Sequence, residues 1–318
     1  DDIVEFGRLA ALSDDPPDLG QTCTVFVADV AAEALGDGFS REDIFAGLRL
    51  MIATFIVLPL RPDRAVDALG GLNPRSLWVL VLLISSLSLV GYVATRLLGT
   101  QRGIPLTGLT GGLVSSTAVT LAFSKQSRDP AYASAASTLA SGILLAWSVM
   151  FVRVIVMVLV VNRDLLPALA APLAAMAIAA LAAAWYLRGR GGTPQSTEGI
   201  PLTNPFSLTA AAKFAAFFAL VLLVVKFMQT YAPDRGVYLV AALAGTTDVD
   251  AITLSMAQYA RTGSVSIAGQ AIIIATLANT IVKAAMAGVL GSAEFRKPVL
   301  AAAAAVLAAG GAVLVLLD

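Results

Sequence analysis

The 318-residue chain has no histidine and a single cysteine, Cys23. Those absences remove imidazole-ligated zinc, His-dependent nucleophilic triads and any intrachain disulfide. Charge is scarce too: Asp, Glu, Lys and Arg make up 13% of the chain against 58% hydrophobic residues, and mean hydropathy is +0.84. A soluble domain carries about 25% charged residues. The composition therefore predicts an all-α polytopic membrane protein whose partner is the lipid bilayer. Its basic residues are scattered between apolar stretches, where they read as topogenic residues and headgroup anchors, so nucleic acid is not an expected partner.

Apolar segments fall at about 44–60, 76–98, 136–161, 165–187, 207–229, 267–290 and 297–317, each near the roughly 20 residues that a spanning helix needs. Two more stretches, about 104–123 and 236–258, have spanning length but carry polar residues. The count of membrane segments is thus seven to nine. Lys213 and Lys226 sit near opposite ends of 207–229 and are assigned to the interfaces.

Net charge divides sharply. Residues 1–43 hold 11 acidic and two basic side chains, whereas 44–318 hold 10 acidic and 19 basic. The first stretch lacks the pattern of a signal peptide and reads as an acidic, soluble arm. It has breakers at 13–18 and 36–38 and a short helix expected over Val25–Leu35. Ser40 with Asp43 resembles a capping box that starts the first membrane helix. The expected organisation is the arm (1–43), an extra helix and loop (44–75), a membrane repeat (76–190), a linker (191–206) broken by Asn204-Pro205-Phe206, and a second repeat (207–318).

The repeat is read from two polar motifs at a constant offset of 133. Gly112 matches Gly245, Ala118 matches Ala251, Thr120 matches Thr253, Leu121 matches Leu254 and Arg128 matches Arg261. Each motif begins with small residues, Gly111 and Gly112 in the first and Gly245 in the second, which let backbones approach or bend. Hydroxyls or carboxylates follow: Ser115, Ser116 and Thr117, then Thr246, Thr247, Asp248 and Asp250. Thr120 and Thr253 lie one turn further, on the same face as Thr117 and Asp250.

Ser115 and Asp248 are read as N-caps of helices that restart after the glycines. One start needs one cap, however, and a carboxylate at membrane depth costs about 2.5–3.5 kcal/mol, so a cation or a basic partner is expected. Arg153 and Lys283, at offset 130, are the internal candidates, as ion pairs or gates beside the motifs, with snorkelling as the plain alternative. Asn279 lies one turn before Lys283.

Positive charge does not orient the chain. If nine segments cross, alternate loops hold eight and seven Lys or Arg. Topology turns on the motifs. If they cross, the four-element units are parallel; if they are re-entrant, the units are inverted, the commoner arrangement in alternating-access carriers and the one expected here.

The runs Leu72-Asn73-Pro74-Arg75, Gly108–Arg128, Asn204-Pro205-Phe206, Asp248–Ser255 and Ala278-Asn279-Thr280 resemble the bacterial membrane family called domain of unknown function 4010, over roughly 42–318. The resemblance implies a bacterial cytoplasmic (inner) membrane location. It also implies association with MgtC/SapB-like membrane regions and a connection to magnesium or cation transport. Residues 1–43 depart from the apolar N-terminal region of such proteins, which implies a shortened or altered start.

The leading expectation is a cation transporter or channel. Asp248 and Asp250 would be its metal ligands, and Ser115, Ser116, Thr117, Thr120, Thr246, Thr247, Thr253 and Asn279 would supply neutral oxygens. Oxygen-only ligation suits Mg²⁺, Na⁺ or a proton relay. The alternatives are a non-transporting regulator, or an anion carrier using motif helix N-termini with Arg153 and Lys283. An enzyme is not expected, because an intramembrane aspartyl protease needs carboxylates from separate helices and here both lie in one motif. Assembly as a homo-oligomer is compatible with the sequence.

Overall fold

The computed structural model describes residues 103–190, 235–261 and 263–317, most of 47–62, and scattered positions in 74–89 and 216–227. The acidic arm, the Val25–Leu35 helix, the Ser40–Asp43 start, the linker 191–206, and Lys213 and Lys226 lie outside the described residues. Segments 76–98 and 207–229 are described only in part. Contacts divide the chain into Asp1–Arg49 and Leu50–Asp318, and everything below concerns the second unit.

Regular structure among the described residues is helical. The principal elements are α1 (Ile104–Gln126), α2 (Ala136–Val161), α3 (Leu166–Arg188), α4 (Arg235–Thr247), α5 (Val249–Tyr259), α6 (Val265–Leu290) and α7 (Ala293–Leu317). Their starts follow local chemistry. Gly103 takes φ 102°, a left-handed value glycine accepts, and Pro105 in the first turn of α1 loses no needed donor. Asp129 and Asn162 accept from Ala131 N and Asp164 N to open the short 3₁₀ turns before α2 and α3. Ser264 accepts from Ile267 N at the head of α6.

Five helices (α1, α2, α3, α6 and α7, with the short turns before α2 and α3) are long and apolar enough to cross a membrane. Outward-facing Val152, Val160, Ile178, Leu181, Ile281 and Val289 are exposed, a surface that only lipid satisfies. The chain is a multi-pass helical membrane protein.

Length admits α1 as a span, but its contacts show that it doubles back. Straight, Ile104 and Phe123 would be roughly 28 Å apart. Instead, both Ile104 and the Phe123 ring crowd the same residue of α2, Gly142. Between those ends Gly112 packs on Ala146, and Trp147 Nε1 donates to Thr120 Oγ1 at 3.0 Å. The turn is at Ser115, where φ −161° and ψ 104° interrupt the helix. Helices α4 and α5 form a second hairpin on α6. Tyr238 donates to Gln270, Gly245 packs on Ala275, and the turn is at Asp248, with φ −152° and ψ 124°.

The hairpins are rooted at opposite ends of the molecule. Arg128, after α1, donates to the Val289 carbonyl near the end of α6 at 2.6 Å. Arg261, after α5, donates to the Val161 carbonyl at the end of α2 at 3.0 Å. Helices α2 and α6 therefore run antiparallel, each hairpin entering beside the start of one and the finish of the other. Glycine makes this possible: a Cβ at Gly112 would lie 2.6 Å from Ala146 Cα, and one at Gly245 2.6 Å from Ala275 Cα.

Candidate functional site

The two hairpin tips meet α2 and α6 around a polar cavity of about 260 Å³. Tip one contributes Gly112, Val114, Ser115, Ser116 and Thr117; tip two contributes Thr247, Asp248, Val249 and Asp250. Helix α2 adds Met150 and Arg153, and α6 adds Asn279 and Lys283.

Each break leaves unpaired carbonyls on one side and unpaired amides on the other. The amide ends are capped from within: Ser115 Oγ accepts from Ala118 N at 3.2 Å, and Asp248 Oδ1 accepts from Asp250 N at 2.8 Å. The carbonyl ends are held by the neighbouring long helix. Arg153 donates to the Leu113 carbonyl at 2.9 Å, and Asn279 Nδ2 donates to the Gly245 carbonyl at 2.7 Å. The first break thus has a neutral cap and a charged carbonyl partner, and the second has the reverse.

The basic side chains also cross between the hairpins. Arg153, beside hairpin one, forms an ion pair with Asp250 of hairpin two. Lys283, beside hairpin two, donates to Ser116 Oγ of hairpin one at 2.7 Å and to Met150 Sδ. Lys283 is 1% exposed and does not snorkel. A buried ammonium is costly unless paired, yet Lys283 makes no ion pair among the described residues, and a thioether is a weak acceptor.

The cavity thus gathers Ser115, Ser116, Thr117, Thr247, Asp248, Asp250, Asn279, Arg153 and Lys283. Other expected site residues lie elsewhere. Thr120 is buried, bonded to Trp147 and the Ser116 carbonyl. Thr246 donates to the Leu243 carbonyl on an exposed face. Thr253 is fully buried, its hydroxyl without a partner among the described residues. Gly111 and Gly245 are buried backbone positions, Gly245 offering its carbonyl to Asn279. Met150 was not foreseen, because nothing in its sequence neighbourhood separates it from core methionine.

As for metal binding, no cluster of three or more Cys, His, Asp or Glu occurs among the described residues. The donors suit a hard ion through Asp248, Asn279 Oδ1 and hydroxyls, with Asp250 already engaged by Arg153.

These features define a multi-pass membrane protein with a charged cavity between two broken helical hairpins. The chain belongs to the family of the domain of unknown function DUF4010, which matches residues 82–291. It is similar to an uncharacterized protein of Aquifex aeolicus (strain VF5), 33% identical over 194 residues that cover 60% of this chain and 84% of that protein. No solved structure matches it.

Proposed function

We propose that the protein is a carrier for a small hard cation in the bacterial cytoplasmic membrane, built from two inverted repeats whose motifs are re-entrant hairpins. The observation that carries this reading is the meeting of two hairpin tips, rooted at opposite ends, in one charged cavity. Discontinuous helices meeting at mid-depth are how carriers place a site between repeats, and irregular backbone inside a membrane is tolerated where it lines such a cavity. The duplication is supported by matched geometry at offset 133. Ser115 and Asp248 both break their helices, and Arg128 and Arg261 both clasp the end of the opposite long helix.

Asp248 is the cation's carboxylate, with Asn279 Oδ1, Thr247 and Thr117 beside it. Asp250 holds Arg153. The cavity has room for water around the ion, as Mg²⁺ demands and Na⁺ accepts. The test is flux of Na⁺ and Mg²⁺ in proteoliposomes, with thermal stabilisation of purified protein alongside. Asp248→Asn keeps the cap and should keep the fold, while cation flux and stabilisation are lost. Unchanged flux in that variant would overturn the assignment of Asp248, and absence of flux and stabilisation in the wild type would leave a non-transporting regulator.

A further inference from the structure

The charges in the cavity balance: Arg153 and Lys283 against Asp248 and Asp250. A bare cation entering this set leaves an uncompensated positive charge beside Arg153 and Lys283, which is costly. The unused hydrogen-bonding capacity is two-sided as well. Among the described residues, Asn279 Oδ1 is a buried acceptor with no partner, Asn279 being 4% exposed, and Arg153 Nε is a buried donor with no partner. Lys283, with three protons, has one hydroxyl and one thioether as its contacts. Buried polar groups in native proteins are nearly all satisfied, so an unmatched acceptor and unmatched cationic donors around one cavity call for a load carrying both signs.

We propose that the cavity takes a small carboxylate or comparable oxyanion group together with the cation, held by Lys283 and Arg153 Nε. The inference rests on the carrier reading and extends it: the transported load is net neutral. The anionic group comes either as a separate ion or as the carboxylate of a zwitterionic solute whose ammonium takes the place beside Asp248. At about 260 Å³ the cavity holds a hydrated ion pair or a solute of small amino-acid size, whereas a bare ion fills a small fraction of it. The occupied geometry needs Lys283 to exchange Met150 Sδ for a carboxylate oxygen, a gain because charge-assisted hydrogen bonds are about twice as strong as neutral ones.

Isothermal titration of the purified full chain tests this with choline acetate, choline gluconate and glycine as probes, each with and without Na⁺. Acetate is expected to bind in the presence of Na⁺ and to tighten Na⁺ binding by the same factor, since coupling is reciprocal; gluconate, a six-carbon polyhydroxy chain too long for the cavity, should not. Binding of glycine without Na⁺ identifies the zwitterion, and binding of acetate only with Na⁺ identifies the ion pair. Lys283→Met, apolar and close in size, should weaken acetate at least about tenfold, the worth of one charge-assisted contact, while Na⁺ binding, no longer opposed by the ammonium, becomes independent of acetate. Ser116→Ala, which removes Lys283's resting acceptor, should tighten acetate. Na⁺ binding indifferent to every anion and to glycine overturns the inference and leaves the cation carrier intact. Anion binding without any cation binding removes the carrier's cation instead.

Discussion

Arg153 ties the two hairpins together: one guanidinium nitrogen donates to the Leu113 carbonyl at the first break, and another pairs with Asp250 just past the second. Both side chains are about nine-tenths buried. Removing one partner strands the other charge, whereas replacing both does not. Asp250→Asn should therefore lower the unfolding free energy by about 3 kcal/mol, whereas Asp248→Asn, an equally good cap whose carboxylate makes no ion pair among the described residues, should cost less. Arg153→Met combined with Asp250→Leu should recover part of the loss, the Leu113 carbonyl being left without its donor. Thermal unfolding of the single and double variants in one detergent measures the coupling, and additive losses would dismiss the pair as a structural link.

The hairpins make a sidedness prediction. In a Cys23→Ser background, single cysteines at Ile104 and Ala133 should react with an impermeant thiol reagent from one face of sealed vesicles. Cysteines at Asp164 and Ser266 should react from the other. Reaction of Ile104 and Ala133 from opposite faces would mean that α1 crosses the membrane and that the repeats are not inverted.

Glycine contacts set the depth of each hairpin. Gly245→Ala drives a Cβ into the backbone of Ala275, and Gly112→Ala drives one against Ala146. Each should cost about 1–3 kcal/mol and shift melting downward. Gly311, on α7, has open space around it, so Gly311→Ala should be neutral or slightly stabilising. Equal melting temperatures for all three would contradict the close approach.

The second arm of α1 is joined to α2 by the Trp147 indole, whose Nε1 donates to Thr120. Trp147→Phe keeps most of the packing and loses that bond, for an expected 0.5–1.5 kcal/mol. Hydrogen exchange should rise in residues 116–126 more than in α6. Uniform exchange across both would place the bond outside the hairpin's stability.

Much of this was legible in the sequence because membrane composition leaves few folds. Apolar runs locate α2, α3, α6 and α7, since an uncharged 20-residue stretch has little alternative to a helix in lipid. The offset of 133 located both breaks, because Ser115 and Asp248 have cap chemistry three residues after Gly112 and Gly245. Arg153 and Lys283 stood out because a basic residue within an apolar helix requires a partner.

What the sequence determined by itself was helical class, the positions of the breaks and the set of charged residues, since each follows from local composition and spacing. Which charges neutralise which was decided only by tertiary structure. Arg153 and Asp250 lie 97 positions apart, and Lys283 and Ser116 167 apart, and no local pattern sets contacts across that separation. The same holds for Met150 facing Lys283, and for Thr120, Thr246 and Thr253 lying away from the cavity. The direction of each chain segment after a break is fixed by the surfaces on which it packs: Gly142 for the first hairpin, Ala275 and the end of α2 for the second.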